Sequence, residues 1–289
     1  MEIIDQIKNL NLAEYPIAQL DSLLTKTSKI CIMLTDLPKN KRIERAVNNS
    51  KEEPEFNKVS RISFKPSEYN HNYMRASTPN NTMFYGSTFS DDDEITEEQM
   101  KYERIIGSTE VSTLMRNSEI LEGWSRITFG SWIVDDTISL ATIIDPSKEH
   151  EHPYLNNLKD RYLKFLEQVP EDIKENTIKW LEFLSVEFSK KVANGNNHDY
   201  LISAKYTELF VNSGKYDGVI YPSVQSSGYG LCVAIHPNAV QKMRLNYVLQ
   251  CKLTKTQRED GENNFLLENL KNCTVKNGQT DFELKEFIK

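Results

Sequence analysis

Cysteine is scarce in this 289-residue chain, and what there is lies scattered. Cys31, Cys232, Cys251 and Cys273 include no close pair, so the sequence carries neither a zinc knuckle nor a Cys-x-x-Cys redox motif. Cys232 sits in an apolar run and reads as a small core residue. The His-x-His of His150 and His152 lacks a third ligand nearby, and no metal is expected. Long hydrophobic runs are missing as well: the longest are strand-sized, far short of the ~20 residues that span a bilayer. Met1-Glu2-Ile3-Ile4-Asp5 is acidic and amphipathic, unlike a signal or transit peptide. A soluble, cytoplasmic protein with no membrane partner is the expectation. Positive charge is in deficit, with 35 Lys and Arg against 42 Asp and Glu, net −7. Direct nucleic-acid binding needs a basic face and is not expected. A small anionic ligand stays open, because a few arginines converging in one cleft can hold a pyrophosphate whatever the global sign. No repeat, no Gly-x-Gly-x-x-Gly after a strand, no Gly-x-Ser-x-Gly and no His-Glu-x-x-His occurs.

Apolar spacing predicts two short helices over 1–29, from Ile3, Ile4 and Ile7 and then Leu20, Leu23 and Leu24. Ile30 to Leu34 reads as a buried strand, Thr35 to Asn40 as a turn, and Arg42 to Val47 as a second strand. A polar loop follows over 48–57, then a short strand from Val59 to Phe64. Residues 69–82, rich in Asn, Ser, Thr and Pro, read as a long ordered loop. Met83-Phe84-Tyr85 is a brief strand. Beyond an acidic insertion at 90–94, capped by Asp93 or Thr96, a helix runs to about Met115 with Ile105, Ile106, Thr109 and Thr113 inward. Arg126 to Val134 and Thr137 to Ile144 read as a hairpin joined at Asp135-Asp136. Amphipathic helices follow around Leu155 to Leu166, Ile173 to Phe188 and Ile202 to Phe210, the last ending at Gly214. Two strands, Val219 to Tyr221 and Leu231 to Ile235, flank a Ser/Gly turn, and the tail from Tyr247 offers one or two edge strands. Strands and helices do not alternate regularly, so the class is α+β. The expected layout is one domain: a helical appendage over 1–38, a catalytic body over 39–245 with a helical insertion at 155–213, and edge strands and tail over 246–289.

The most informative stretch is Tyr216-Asp217-Gly218-Val219-Ile220-Tyr221-Pro222-Ser223-Val224. A glycine and β-branched residues build a strand, Pro222 ends its ladder, and Ser223 follows at the terminus. Alone this is only a strand end. Upstream, in order, stand Lys41-Arg42-Ile43-Glu44-Arg45-Ala46, then Met74-Arg75-Ala76-Ser77 with Pro79 and Phe84-Tyr85-Gly86-Ser87, then Gly107-Ser108-Thr109-Glu110-Val111-Ser112. Together with Gly228, these segments resemble the RES domain family over roughly residues 40–240. Gly130-Ser131-Trp132 and Asp199-Tyr200 are similar too. The chain departs from the family at Glu44, where an aromatic is usual, and at Met74 and Ser77, where glycine and asparagine are usual. The acidic insertion leaves Glu98 and Glu103 as rivals of Glu110 for the family glutamate.

The resemblance implies an ADP-ribosyltransferase-like mixed sheet and chemistry on NAD as substrate. Members hydrolyse or phosphorolyse NAD as toxins, or transfer ADP-ribose to a protein, and are commonly paired with a small helical antitoxin. A small helix-turn-helix antitoxin is the implied protein partner, and association with a second copy of the chain stays open. Cleaving the nicotinamide–ribose bond passes through an oxocarbenium-like state, which calls for a carboxylate beside the sugar; Glu110 fits. Arg45 and Arg75 supply forks for the pyrophosphate, with Arg61 as an auxiliary cation. Tyr85 offers a wall for nicotinamide, and the Ser223 hydroxyl orients amide or ribose. The catalytic set is thus Glu110, Arg45 and Ser223, and the binding set Arg45, Arg75, Tyr85 and Ser223. Two alternatives remain: protein ADP-ribosylation, and a non-catalytic nucleotide-binding module in which the residues around Arg75 no longer support turnover.

Overall fold

A computed structural model describes residues 2–27, 29–88, 97–150, 153–193, 195–224, 230–258 and 260–288, without the side chains of 97–102 and 153. In chain order the strands are β1 (Leu34–Leu37), β2 (Arg42–Asn48), β3 (Phe84–Thr88), β4 (Gly123–Val134), β5 (Ile138–Thr142), β6 (Gly218–Pro222), β7 (Leu231–Ile235), β8 (Met243–Gln257), β9 (Asn263–Thr274) and β10 (Lys285–Glu286). The α-helices are α1 (Ile3–Lys8), α2 (Ile17–Thr25), α3 (Glu97–Val111), α4 (Thr113–Arg116), α5 (Pro153–Leu166), α6 (Glu171–Ser189), α7 (Leu201–Asn212) and α8 (Pro237–Val240). The class is α+β. No helix among the described residues is long and apolar enough to cross a membrane. The chain folds as two compact units, one from residues 1–36, 66–83 and 139–238, the other from 37–65, 84–138 and 239–289.

In the first unit β1, β5, β6 and β7 lie side by side; β5 pairs β6 in parallel and β6 pairs β7 antiparallel. The predicted strand at Ile30 to Leu34 is displaced: β1 begins at Leu34 and buries Thr35 and Leu37. Helix side chains take the backbone groups of Cys31, while the Met33 carbonyl accepts from the Thr142 N–H of β5 (2.9 Å). Thr177 Oγ1 accepts from the Cys31 N–H (3.0 Å), and the Tyr162 hydroxyl donates to the Cys31 carbonyl (2.6 Å). The predicted helices appear as α5, α6 and α7, and Gly214 ends α7 with φ 68°. Trp180 of α6 stacks on Tyr206 of α7, and Phe188 at the end of α6 meets Tyr221 of β6 at 5.3 Å. Ile7 and Leu20 of the N-terminal helices are fully buried. Gly218 has φ 156°, and a Cβ there would overlap the Ala234 carbonyl oxygen. Because that neighbour is backbone on the paired strand, Gly218→Ala is expected to lower stability by roughly 1–3 kcal/mol or more. A urea midpoint equal to that of the parent protein would contradict this.

In the second unit the order is β3, β2, β4, β8, β9, β10, with every recorded pairing antiparallel. The predicted hairpin of 126–144 does not form. β4 takes β2 and β8 as neighbours, while β5 pairs with β6. A two-residue hairpin needs positive φ at its turn, and Asp135-Asp136 supplies none. Their N–H groups donate to the Lys242 carbonyl instead, at 2.8 and 3.2 Å. The predicted strand at Val59 to Phe64 is a 3₁₀ turn over Val59–Ile62, and it sinks Ile62 completely into the core. The tail is not merely edge: β8 runs 15 residues between β4 and β9. The acidic insertion at 90–94 and its caps lie outside the described residues. The helix after it breaks at Ser112, whose hydroxyl accepts from the Met115 N–H and caps α4 (3.3 Å). Its inner face is Glu103, Ile106, Gly107 and Ser108, whereas Ile105 and Thr113 face outward. Gly107 sets the depth of packing, since a Cβ there would lie 3.0 Å from Ala46 Cβ.

Candidate functional site

Three predicted site residues, Arg45, Tyr85 and Glu110, belong to the second unit. Alternation along β2 turns Arg42, Glu44 and Ala46 toward α3, and Ile43 and Arg45 to the opposite side. The contacts agree: Arg42 bonds Glu103 of α3, while the Arg45 guanidinium lies over the Phe84 ring at 5.0 Å. Phe84 in turn meets Trp132 edge-on at 5.3 Å. On β3, Ser87 Oγ donates to the Glu103 carbonyl (3.2 Å), so Tyr85, two residues earlier, shares the α3 side. Tyr85 and Glu110, both half-buried, therefore belong to one side of the sheet and Arg45 to the other.

Arg45 has the most distinctive environment of the three. Its Nη1 donates to the Tyr85 carbonyl (2.6 Å), and its Nε has no hydrogen-bond partner among the described residues. No carboxylate there forms an ion pair with it. Part of the side chain stays exposed, and burial of the rest pushes its guanidinium down to about 10. A desolvated cation without a counter-charge is costly, and it creates a demand for an anion.

On the α3 side lies a charge cluster that the motifs did not single out. Arg42 Nε donates to Glu103 Oε2 (3.1 Å), and its Nη2 makes a second, shorter bond to the same oxygen. Arg104 Nε donates to Glu44 Oε1 (3.4 Å), and Arg42 Nε lies 4.0 Å from Glu44 Oε2. Both carboxylates are buried, and Glu103 Oε1 and Glu44 Oε2 have no hydrogen-bond partner among the described residues. Burial pushes Glu44 up, against the pull of Arg104 and Arg42 and a hydrogen bond from Ser131. Burial pushes Glu103 up to about 7, opposed by Arg42 and reinforced by Glu44. Glu44 stood out in the sequence only as a departure from an aromatic, and Glu103 as one of two rival glutamates. A charged residue at an inward strand position facing an inward helix glutamate was the available signal. The side chain of the other rival, Glu98, lies outside the described residues.

The raised Glu103 carboxyl gives stability a pH dependence of definite sign. The folded protein holds this proton from the ordinary 4.5 up to about 7, so the unfolded chain is the weaker proton binder in that window. Stability relative to a Glu103→Gln variant should therefore fall as pH rises from about 4.5 to 7. The total loss is about 3 kcal/mol, at ~1.4 kcal/mol per unit. Paired denaturation curves across that range, with a constant difference between the two proteins, would refute it.

Arg75 and Ser223 belong to the first unit. Arg75 is buried; its Nη1 donates to the Phe188 carbonyl and its Nη2 to the Lys190 carbonyl (3.0 Å), with the guanidinium over the Tyr200 ring at 5.3 Å. These bonds satisfy carbonyls at the C-terminal end of α6, where a cation also complements the helix dipole. Ser223, at 1% exposure, donates its backbone N–H to the Gly230 carbonyl (2.7 Å). Residues 225–229, with Gly228, lie outside the described residues. Arg61, the predicted auxiliary, is half-exposed in a forked pair with Glu53 and over the Phe56 ring. His150 Nε2 lies 2.9 Å from the Asp145 carbonyl oxygen, and no group of three His, Cys, Asp or Glu suited to a metal occurs among the described residues. Comparison with protein-family models, curated proteins and solved structures finds no match to this chain.

Proposed function

We propose that this protein is an NAD-consuming enzyme, similar to the RES family and ADP-ribosyltransferase-like in fold, that cleaves the nicotinamide–ribose bond. The observation that carries the reading is Arg45, a partly buried guanidinium whose Nε has no hydrogen-bond partner and which has no ion-paired carboxylate among the described residues, an environment suited to an anionic ligand. The resemblance assigns Arg45 and Arg75 to the pyrophosphate, Tyr85 to the nicotinamide and Ser223 to the amide or ribose, whereas Arg45 lies on the other side of the sheet from Tyr85 and Glu110, which weighs toward the second reading below. The bond's electron pair leaves with neutral nicotinamide. Glu110 stabilises the cationic ribose until water or phosphate adds, and the acceptor's proton passes to that carboxylate or to solvent. A role as the cytoplasmic toxin of a toxin–antitoxin pair follows from the same resemblance. A non-catalytic nucleotide-binding module is the second reading, and the carbonyl bonds of Arg75 favour it, because they give that arginine a structural use.

Incubation of the purified protein with NAD, with and without phosphate, separates these outcomes. Nicotinamide release without phosphate marks hydrolysis, release that needs phosphate marks phosphorolysis, and label on a protein marks ADP-ribose transfer. Intact NAD beside an active control would end the enzymatic reading.

A further inference from the structure

The outer edge of β9 stands apart from the rest of the second unit's sheet. β10 covers β9 only at Asn272 and Lys271, with one more bond from the Phe287 N–H to the Leu270 carbonyl (2.8 Å). From Asn263 to Asn269, β8 is the only neighbouring strand among the described residues. This stretch reads Asn-Asn-Phe-Leu-Leu-Glu-Asn, with Leu266 52% and Phe265 37% exposed. It holds no proline and no lysine. Edge strands are usually blunted by a charge, a bulge or a proline, because their open N–H and C=O groups template another strand. Here the only charge is Glu268.

We propose that this edge pairs antiparallel with the same edge of a second copy of the chain, about a two-fold axis at Leu266. In a two-fold antiparallel pair the axis passes through a residue opposite itself, so the register follows from the choice of centre. Centred on Leu266, Leu266 faces Leu266, Phe265 faces Leu267, Asn264 faces Glu268 and Asn263 faces Asn269. Apolar residues meet apolar residues, and the acid meets an amide, so like charges never stand opposite each other. Trp124, at 60% exposure, lies in the same cross-strand row through Thr254. The pair would extend that row from Trp124 of one copy to Trp124 of the other.

Sedimentation velocity of the full chain over a dilution series should show a monomer–dimer equilibrium. Leu266→Lys, which sets two ammonium groups opposite each other on the axis, should weaken it about tenfold or more. A parent protein that stays monomeric throughout, or a dimer indifferent to Leu266→Lys, overturns the proposal. Should Leu266→Lys fail to fold, cysteine pairing decides. Self-paired residues sit about 4.5–5.5 Å apart at Cα, within disulfide reach. Leu266→Cys should therefore give a covalent dimer on mild oxidation, above the background of the parent cysteines. Glu268→Cys, whose copy lies four residues along at about 13 Å, should not. Absence of the Leu266→Cys dimer, or equal yield from Glu268→Cys, identifies a different surface or register and defeats the proposal.

Discussion

Replacing Arg42 with alanine is expected to lower the unfolding free energy by about 3–5 kcal/mol near neutral pH, a large share of a domain's stability. The loss arises less from a missing contact than from what is left behind. Glu103 is fully buried and draws both of its described side-chain hydrogen bonds from Arg42, while Glu44, also buried, lies 4.0 Å from the same guanidinium. Without Arg42 the described cations left are Arg104, bonded to Glu44, and Lys41, which acts on Glu103 through its charge, so Glu103 must ionise without a bonded partner or take a proton. The penalty should grow with pH. Near about pH 5 Glu103 is already protonated in the parent protein, whereas near about pH 8 it is ionised and depends on its partner. Urea denaturation at both values measures this. A loss below about 1 kcal/mol at the higher pH, or one that shrinks as pH rises, would show that the pair contributes no more than a surface ion pair. Adding Glu103→Gln to Arg42→Ala should recover part of the loss, because the uncompensated charge is then gone.

Glu110→Gln should reduce NAD turnover by about 10²–10³-fold or more while leaving the folded structure intact, since the amide cannot offset positive charge on the sugar. Glu103→Gln provides the internal control. If turnover survives Glu110→Gln and disappears in Glu103→Gln at equal foldedness, the wrong carboxylate has been assigned. Arg45→Ala is expected to act on binding. ADP-ribose should raise the melting temperature of the parent protein and leave that of the variant unmoved, and an equal rise in both would remove Arg45 from the site. Loss of the Arg45 side chain should cost little stability, because among the described residues no ion pair is broken.

The elements most legible in the sequence are those whose partners lie close along the chain or whose faces repeat over several turns. α6 and α7 follow from Trp180, Leu184 and Phe188 and from Ile202 and Tyr206, and the β6–β7 hairpin follows from two apolar runs around a polar turn. Ile30 to Met33 has strand composition, yet Thr177 and Tyr162, more than a hundred residues away, take both backbone groups of Cys31. Pairing was illegible for the same reason. β4 and β5 are adjacent in sequence, but the strands that bracket β4 are β2 and β8. At the site, the segments carrying Arg45, Tyr85 and Glu110 were readable as motifs, whereas the side of the sheet each one faces depends on register. The apolar pattern put Ile105, Ile106, Thr109 and Thr113 inward, so it gave no sign that Glu103 is buried and did not rank it against Glu110. Only Arg42 opposite Glu103 distinguishes the two.

The interleaving of the two units has a consequence for biosynthesis. The nascent chain passes between them five times, and β8, which lies between β4 and β9, is encoded in the final segment, 239–289. Until that segment leaves the ribosome, β4 lacks its partner on that side and the apolar row of Ile127 and Phe129 has nothing against Leu249 and Leu253. From Val134 at the end of β4 to Gln257 at the end of β8, at ~5–20 residues per second, this interval lasts roughly 6–25 s. During that time the growing chain exposes an adhesive flank that a chaperone or a neighbouring nascent copy can cover.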